Sequence, residues 1–258
     1  MSTLEELFSL EGKTVIVTGG AQGIGKVVAT RMAEVGADIA IFDLQEDKAR
    51  ETAEEIHDTT GRKTAAYSID VTDSAQVKEM ITRADEEMQG LDLLFNNAGI
   101  VLHKSAYDVT PEEWAKVINV NLNGEYYMAS EFARYLKGKG KKGAICNTAS
   151  MSGHIVNWPQ EQASYNASKA AVIQMTKSLA VEYCKDGIRV NCISPGYMYT
   201  ELTCHVNPDW QERWMDLTPY GRYGKPEELC GAVIYLLSDS ASFTSGTDIV
   251  VDGCFTAV

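Results

Sequence analysis

Tyr165 and Lys169 stand four residues apart, a spacing that puts both side chains on one face of a helix. A phenol ionises near pH 10, roughly three units too high for a base at neutral pH. An ammonium group beside it favours the phenolate and brings proton exchange into range. A lone Tyr-x-x-x-Lys pair arises easily by chance, so its meaning rests on its neighbours. Ser150 closely follows the apolar run Ala144-Ile145-Cys146-Asn147. Its hydroxyl could donate to the same substrate oxygen and stabilise developing alkoxide charge. Asn121 and the turn Asn96-Asn97-Ala98-Gly99 add polar groups that belong at the same edge of a sheet. The candidate catalytic set is Asn121, Ser150, Tyr165 and Lys169.

A second cluster lies near the amino terminus, where Thr14-Val15-Ile16-Val17 runs into Thr18-Gly19-Gly20-Ala21-Gln22-Gly23-Ile24-Gly25 and a helical pattern follows at once. Glycines at a strand-to-helix turn let the backbone approach a pyrophosphate, and the helix N-terminus attracts its charge. Gly20 to Lys26 also fits most of a triphosphate-binding loop. That loop then needs Ser or Thr for magnesium, and position 27 is Val. The dinucleotide reading makes an independent demand, an acid roughly 20 residues beyond the glycines. Asp43 sits 18 residues beyond Gly25, directly after Ile41-Phe42. Its carboxylate could accept from both ribose hydroxyls and would repel a 2′-phosphate. Neither Gly20, Ala21 and Gln22 nor Leu44 supplies a compensating cation, so NAD(H) is expected in preference to NADP(H). A nicotinamide would carry the hydride while Tyr165 moves the proton, which is interconversion of an alcohol and a ketone.

The elements that must position these groups are legible as alternation. Seven short β-branched or apolar runs begin near residues 14, 39, 65, 91, 144, 188 and 248. Between them lie amphipathic stretches such as Ile24 to Val35, Glu46 to His57, Ser74 to Met88 and Ala163 to Tyr183. This pattern predicts an α/β fold, a Rossmann-type doubly wound parallel sheet of about seven strands with helices on both faces. No linker, repeat or low-complexity tract divides residues 1–258, so one domain is expected.

The formal charge of −13 disfavours nucleic-acid or anionic-membrane binding, and no apolar run approaches the roughly 20 residues of a membrane span. Met1 to Lys13 is acidic and lacks a leader pattern, which points to the cytoplasm. Six scattered cysteines and four dispersed histidines match no ligand spacing, so reduced thiols and no metal site are expected.

Residues 12 to 254 resemble the short-chain dehydrogenase/reductase family. The resemblance is carried by Thr18-Gly19-x-x-x-Gly23-x-Gly25, Asn96-Asn97-Ala98-Gly99, Asn121, Ser150, Tyr165-x-x-x-Lys169 and Pro195-Gly196. It implies Tyr165 as acid/base, Ser150 as orienting donor, Lys169 on the nicotinamide ribose and Asn121 holding a water that links Lys169 to solvent. It implies cofactor contacts from the glycine turn with Gln22 and Ile24, from Asp43 and Leu44, from Asp70 and Val71 around adenine, and from Asn97, Ala98 and Gly99. Pro195, Gly196, Met198 and Thr200 would lie along the pyrophosphate and nicotinamide. A homotetramer built through Thr247 to Val251 and the helices near Trp114 and Ala163 is also implied.

The stretch from Ser150 to Gln160 resembles the branch of polyol dehydrogenases and ketose reductases acting on mannitol and sorbose. Members of that branch commonly use NADP(H), against the reading of Asp43. Candidate substrate contacts are Ser152, His154, Trp158, Gln160 and Tyr199, with Tyr199, Thr203, His205 and Trp210 in a segment that would close over a small alcohol or ketone. Three alternatives stay open. A 3-oxoacyl-thioester reductase could use Lys141 and Lys142 to dock an acidic carrier. A hydroxysteroid dehydrogenase would suit an aromatic lid. A dinucleotide-binding sensor would keep the fold without chemistry.

Overall fold

The structure is a computed structural model and describes residues 2–204 and 206–258. The strands are β1 Thr14–Thr18, β2 Asp38–Asp43, β3 Thr64–Ser68, β4 Leu93–Asn96, β5 Gly143–Thr148, β6 Ile188–Pro195 and β7 Asp248–Val251. They form one parallel sheet in the order β3-β2-β1-β4-β5-β6-β7. The order reverses between β1 and β4, so a crevice opens at the carboxyl ends of those two strands. The helices are α1 Leu4–Phe8, α2 Gly23–Glu34, α3 Glu46–Thr60, α4 Ser74–Met88, α5 Pro111–Ile118, α6 Glu125–Gly138, α7 Ala163–Tyr183, α8 Glu201–Cys204, α9 Pro208–Leu217 and α10 Glu227–Leu237.

Alternating side chains along the strands feed two cores. Val15, Val17, Ile39, Ile41, Leu93 and Phe95 face α2, α3 and α10, while Ile16, Ala40, Phe42 and Leu94 face α4, α6 and α7. Burial of both faces explains why the central strands read as continuous apolar runs. The seven expected strands form with ends displaced by up to two residues, and α4 and α7 span the expected residues. The region between β4 and β5 is less obvious in sequence. There α5 passes into a π-helical turn, Asn119–Gly124, and then into α6. Such turns are rare and gather at functional sites.

No described helix is long and apolar enough to cross a membrane. All six cysteines are unpaired, and among the described residues no group of three or more His, Cys, Asp or Glu could hold a metal ion.

Candidate active site

The first part of the site is the turn from β1 into α2. Gly19 has φ +63°, which a side chain rarely adopts, and a Cβ on Gly25 would collide with the Gly19 carbonyl oxygen. Thr18 and Asn97 clamp this turn to the end of β4. Thr18 Oγ1 accepts from the N–H groups of Asn97 and Ala98 at 2.8 and 3.0 Å, and Asn97 Nδ2 donates to the carbonyls of Thr18 and Gly19 at 3.2 and 3.3 Å. Gln22 caps α2 without a side-chain hydrogen bond to the helix's own amides, so the first-turn N–H groups of α2 keep their capacity for an anion. A glycine cradle with open amides fits a dinucleotide pyrophosphate.

Asp43 ends β2 and is 9% exposed. Its two oxygens are engaged by backbone: Oδ2 accepts from Ala21 N at 3.0 Å and Oδ1 from Gln45 N at 2.9 Å. The carboxylate therefore braces the glycine turn. A cation also reaches the turn from a place that its local sequence does not reveal. Lys48, on the first turn of α3, donates from Nζ to Gln22 Oε1 at 2.9 Å. Leu44 is 70% exposed beside them.

The second part is built on β5, α7 and the π-helical turn. Ser150 lies just beyond β5, is buried, and its Oγ accepts from Ser152 N at 3.1 Å. The turn that carries it continues to Gly153, which lies flat on α7. A Cβ there would come within 2.9 Å of Ala170 N and of the Lys169 carbonyl carbon. This close approach sets Ser150 against the helix that bears Tyr165 and Lys169. Tyr165 is half-buried, and no described group hydrogen-bonds its hydroxyl. Lys169 is 2% exposed, with Nζ 6.0 Å from the centre of the Tyr165 ring. Asn121 is fully buried: its Oδ1 accepts from Ile100 N at 2.8 Å, and its Nδ2 donates to Ile100 O and Ser168 Oγ at 2.8 and 3.1 Å. Gly99 lies between two members of the set, for a Cβ there would stand 3.4 Å from Asn121 Oδ1 and 3.6 Å from Lys169 Nζ.

Lys169 has a partner that sequence reasoning missed. Its Nζ donates to Glu125 Oε1 at 3.0 Å and to Thr148 O at 2.5 Å. Burial opposes the ammonium most strongly, but the adjacent Glu125 carboxylate together with Tyr165 outweighs it and holds Lys169 above the ordinary lysine value. Glu125 is pushed up to about 7 because burial outweighs its attraction to Lys169. The only sequence signal was an acid four residues beyond Asn121, at a helical spacing that the π-helical turn alters.

The remaining candidates divide by their surroundings. Asp70 Oδ1 accepts from the N–H and hydroxyl of Thr72 at 2.9 and 2.7 Å, and Val71 is buried. Beyond β6, Gly196 N donates to Val251 O at 2.9 Å, Met198 is buried, and Thr200 Oγ1 lies 3.3 Å from Thr203 Oγ1. Ser152 and Gln160 belong to a buried network: Gln162 Nε2 donates to Ser152 Oγ at 3.3 Å and to Asn157 Oδ1 at 3.1 Å, while Tyr197 OH donates to Gln160 Oε1 at 2.9 Å. His154 turns to β7, where its Nε2 meets Asp248 Oδ2 at 2.6 Å. Trp158 and Tyr199 stand open to solvent, at 70% and 63% exposure. Trp210 on α9 packs edge-on against His103, ring centres 5.2 Å apart. His205 lies outside the described residues.

With this geometry in hand, three kinds of similarity bear on the chain. Residues 19–256 match the family described as Enoyl-(Acyl carrier protein) reductase. Sorbose reductase sou1 of Schizosaccharomyces pombe is 43% identical over 97% of this chain and 98% of its own length. A probable NADP-dependent mannitol dehydrogenase of Yarrowia lipolytica is 44% identical over 96% of this chain and 89% of its own. Among solved structures, a short-chain type dehydrogenase/reductase from Mycobacterium marinum superposes with a TM-score of 0.96, at 40% identity over 99% of this chain and 100% of that one. The NADPH-dependent 3-quinuclidinone reductase of Rhodotorula rubra gives 0.95 at 34% identity, over 100% and 96%.

These relatives correct the expectation of NAD(H). Those whose names specify a cofactor, the mannitol dehydrogenase and the quinuclidinone reductase, are called NADP- or NADPH-dependent. The physical reason lies in the turn: Asp43 is spent on two backbone amides, and Lys48 brings the cation that the adjacent residues do not supply.

Proposed function

The chain belongs to the short-chain dehydrogenase/reductase family, and on that footing we propose that it interconverts a secondary alcohol and a ketone of a polyol or sugar with NADP(H). The observation that carries this reading is the convergence on α7: an unbonded Tyr165 hydroxyl, Lys169 one turn on, and the Ser150 turn pressed against the same helix through Gly153.

The open amides of α2 would hold the pyrophosphate, and Lys48 with Gln22 would meet the 2′-phosphate. Asp70, Val71, Asn97, Ala98, Gly99 and the stretch from Pro195 to Thr200 would line the rest of the dinucleotide. Bound there, the nicotinamide supplies the hydride. Ser150 donates a hydrogen bond to the substrate oxygen and stabilises negative charge as it develops. Tyr165 gives its hydroxyl proton to that oxygen during reduction and takes it back during oxidation. Lys169 would hold the nicotinamide ribose, and Asn121 fixes the Ile100 backbone that borders the site. Trp158 and Tyr199, both exposed, would offer aromatic faces to the carbon chain of a polyol, while Ser152 and Gln160 belong to the buried network of the Ser150–Gln162 loop. A homotetramer is supported by the family resemblance and by the half-exposed β7 edge, and sedimentation would test it.

The names of the sorbose reductase and mannitol dehydrogenase support a ketose or polyol substrate. Steady-state assays with polyols, ketoses, hydroxysteroids and 3-oxoacyl thioesters, each with NADP(H) and NAD(H), test the proposal. Turnover of a ketose with NADPH is expected. Turnover confined to the thioesters or steroids would overturn the substrate class.

A further inference from the structure

We propose that Glu125 is a positioning residue of the reaction: it is the buried counter-charge of Lys169, and its charge sets the pH at which the site works. The inference rests on the proposed alcohol/ketone chemistry and goes beyond the four residues assigned to it.

Glu125 opens α6 immediately after the π-helical turn that contains Asn121. It is 1% exposed, an expensive place for a carboxylate unless a partner compensates. One oxygen has that partner, Lys169 Nζ at 3.0 Å, whereas Oε2 is buried without any hydrogen-bond partner. The backbone keeps the residue in place, for Asn96 Nδ2 donates to the Glu125 carbonyl at 2.7 Å and to Asn147 Oδ1 at 3.1 Å. A half-satisfied carboxylate in a dry interior is poor construction for stability alone. It is good construction for electrostatics, because the same dry surroundings transmit its charge to Lys169 with little screening.

The titratable groups around the pair are few. On α7 they are Lys169 and, next to it, Tyr165. On β5 the Cys146 thiol is pushed up, chiefly by burial and then by Glu125, and the β6 thiol of Cys192 acts on Lys169. Asp248 on β7 reaches the two thiols. Among the described residues Lys169 is therefore the one cation set against Glu125. Removing the negative charge lowers the proton affinity of the whole coupled cluster, so each of its ionisations moves to lower pH.

The test uses Glu125→Gln and Glu125→Asp in the full enzyme. In alcohol oxidation with NADP, the rising limb of kcat/KM against pH is expected to move down by about one unit or more in E125Q, a roughly tenfold shift in proton concentration, and to stay near its original place in E125D. A limb that keeps its midpoint while the rate merely falls would overturn the proposal. Thermal unfolding of the cofactor-free protein provides a second arm, comparing E125Q, K169M and the double variant. The double variant is expected to melt higher than the sum of the single losses requires, because each single leaves a buried charge or polar group unpaired. Strict additivity would count against the pair. If no alcohol or ketone is turned over, the proposed function fails while the melting cycle still reads the pair. If turnover occurs and the limb stays put, only the role of Glu125 fails.

Discussion

Lys48 and Gln22, 26 residues apart, meet at 2.9 Å, so that a cation rooted on α3 stands at the amino terminus of α2. Gln22 is the residue at which the glycine turn becomes a helix, the place where a dinucleotide's phosphates are drawn. A long, exposed lysine tethered, among the described residues, to a neutral amide can exchange that amide for a phosphate oxygen at little cost.

Replacing Lys48 with Ala is expected to weaken NADPH binding by about tenfold or more, in line with loss of one charge-assisted hydrogen bond, and to leave NADH binding nearly unchanged. Fluorescence titration of both cofactors checks this. Equal losses for the two would detach Lys48 from the 2′-phosphate.

Asp43→Ala removes the acceptor of the Ala21 and Gln45 amides. A stability loss of about 1–3 kcal/mol is expected from one buried and one part-buried backbone donor left without an acceptor, together with weaker binding of both cofactors. Denaturant unfolding measures the first and titration the second. A variant of unchanged stability would show that the carboxylate does not brace the turn.

Gly153→Ala forces a methyl group into the backbone of α7 and lifts the turn that carries Ser150. Turnover is expected to fall by about 100-fold, the scale of a reacting group misplaced by an ångström, with cofactor affinity retained. Ser150→Ala gives a comparable loss of about 100- to 1,000-fold without a change in fold. Stopped-flow reduction of the best ketose with NADPH distinguishes these variants from a binding defect.

The raised ionisation of Glu125 has a consequence for folding. Its folded value of about 7 exceeds its ordinary value of 4.5, so the folded chain binds the extra proton between them. The stability this proton contributes is fully present below about pH 4.5 and is lost as pH rises through about 7. Melting temperatures of E125Q should lack that component of the slope. Parallel curves for E125Q and the parent between those limits would contradict it.

Much of the architecture was legible because periodicity is local. Thr14 to Val17 and Ile39 to Phe42 read as strands from their own composition, and α4 and α7 from the spacing of their apolar residues. Tyr165 and Lys169 were legible for the same reason, being one turn apart. What was hidden is long-range pairing. The charge of Asp43 was plain in the sequence, but its capture by Ala21 was not, and Lys48 reaches the turn only once α3 is docked. Glu125 reads as an ordinary first-turn acid until the π-helical turn directs it inward to Lys169. His154, singled out for substrate, has Asp248 of the last strand as its partner, 94 residues away.

The claim at the centre is that the Tyr165 hydroxyl exchanges the proton with the reacting oxygen. Tyr165→Phe removes one oxygen and tests it most directly, with ketose reduction by NADPH and NADPH affinity measured on the same preparation. The account expects kcat/KM to fall by about 100- to 10,000-fold while affinity and melting temperature stay at their original values. Turnover within a few-fold of the parent enzyme would contradict it.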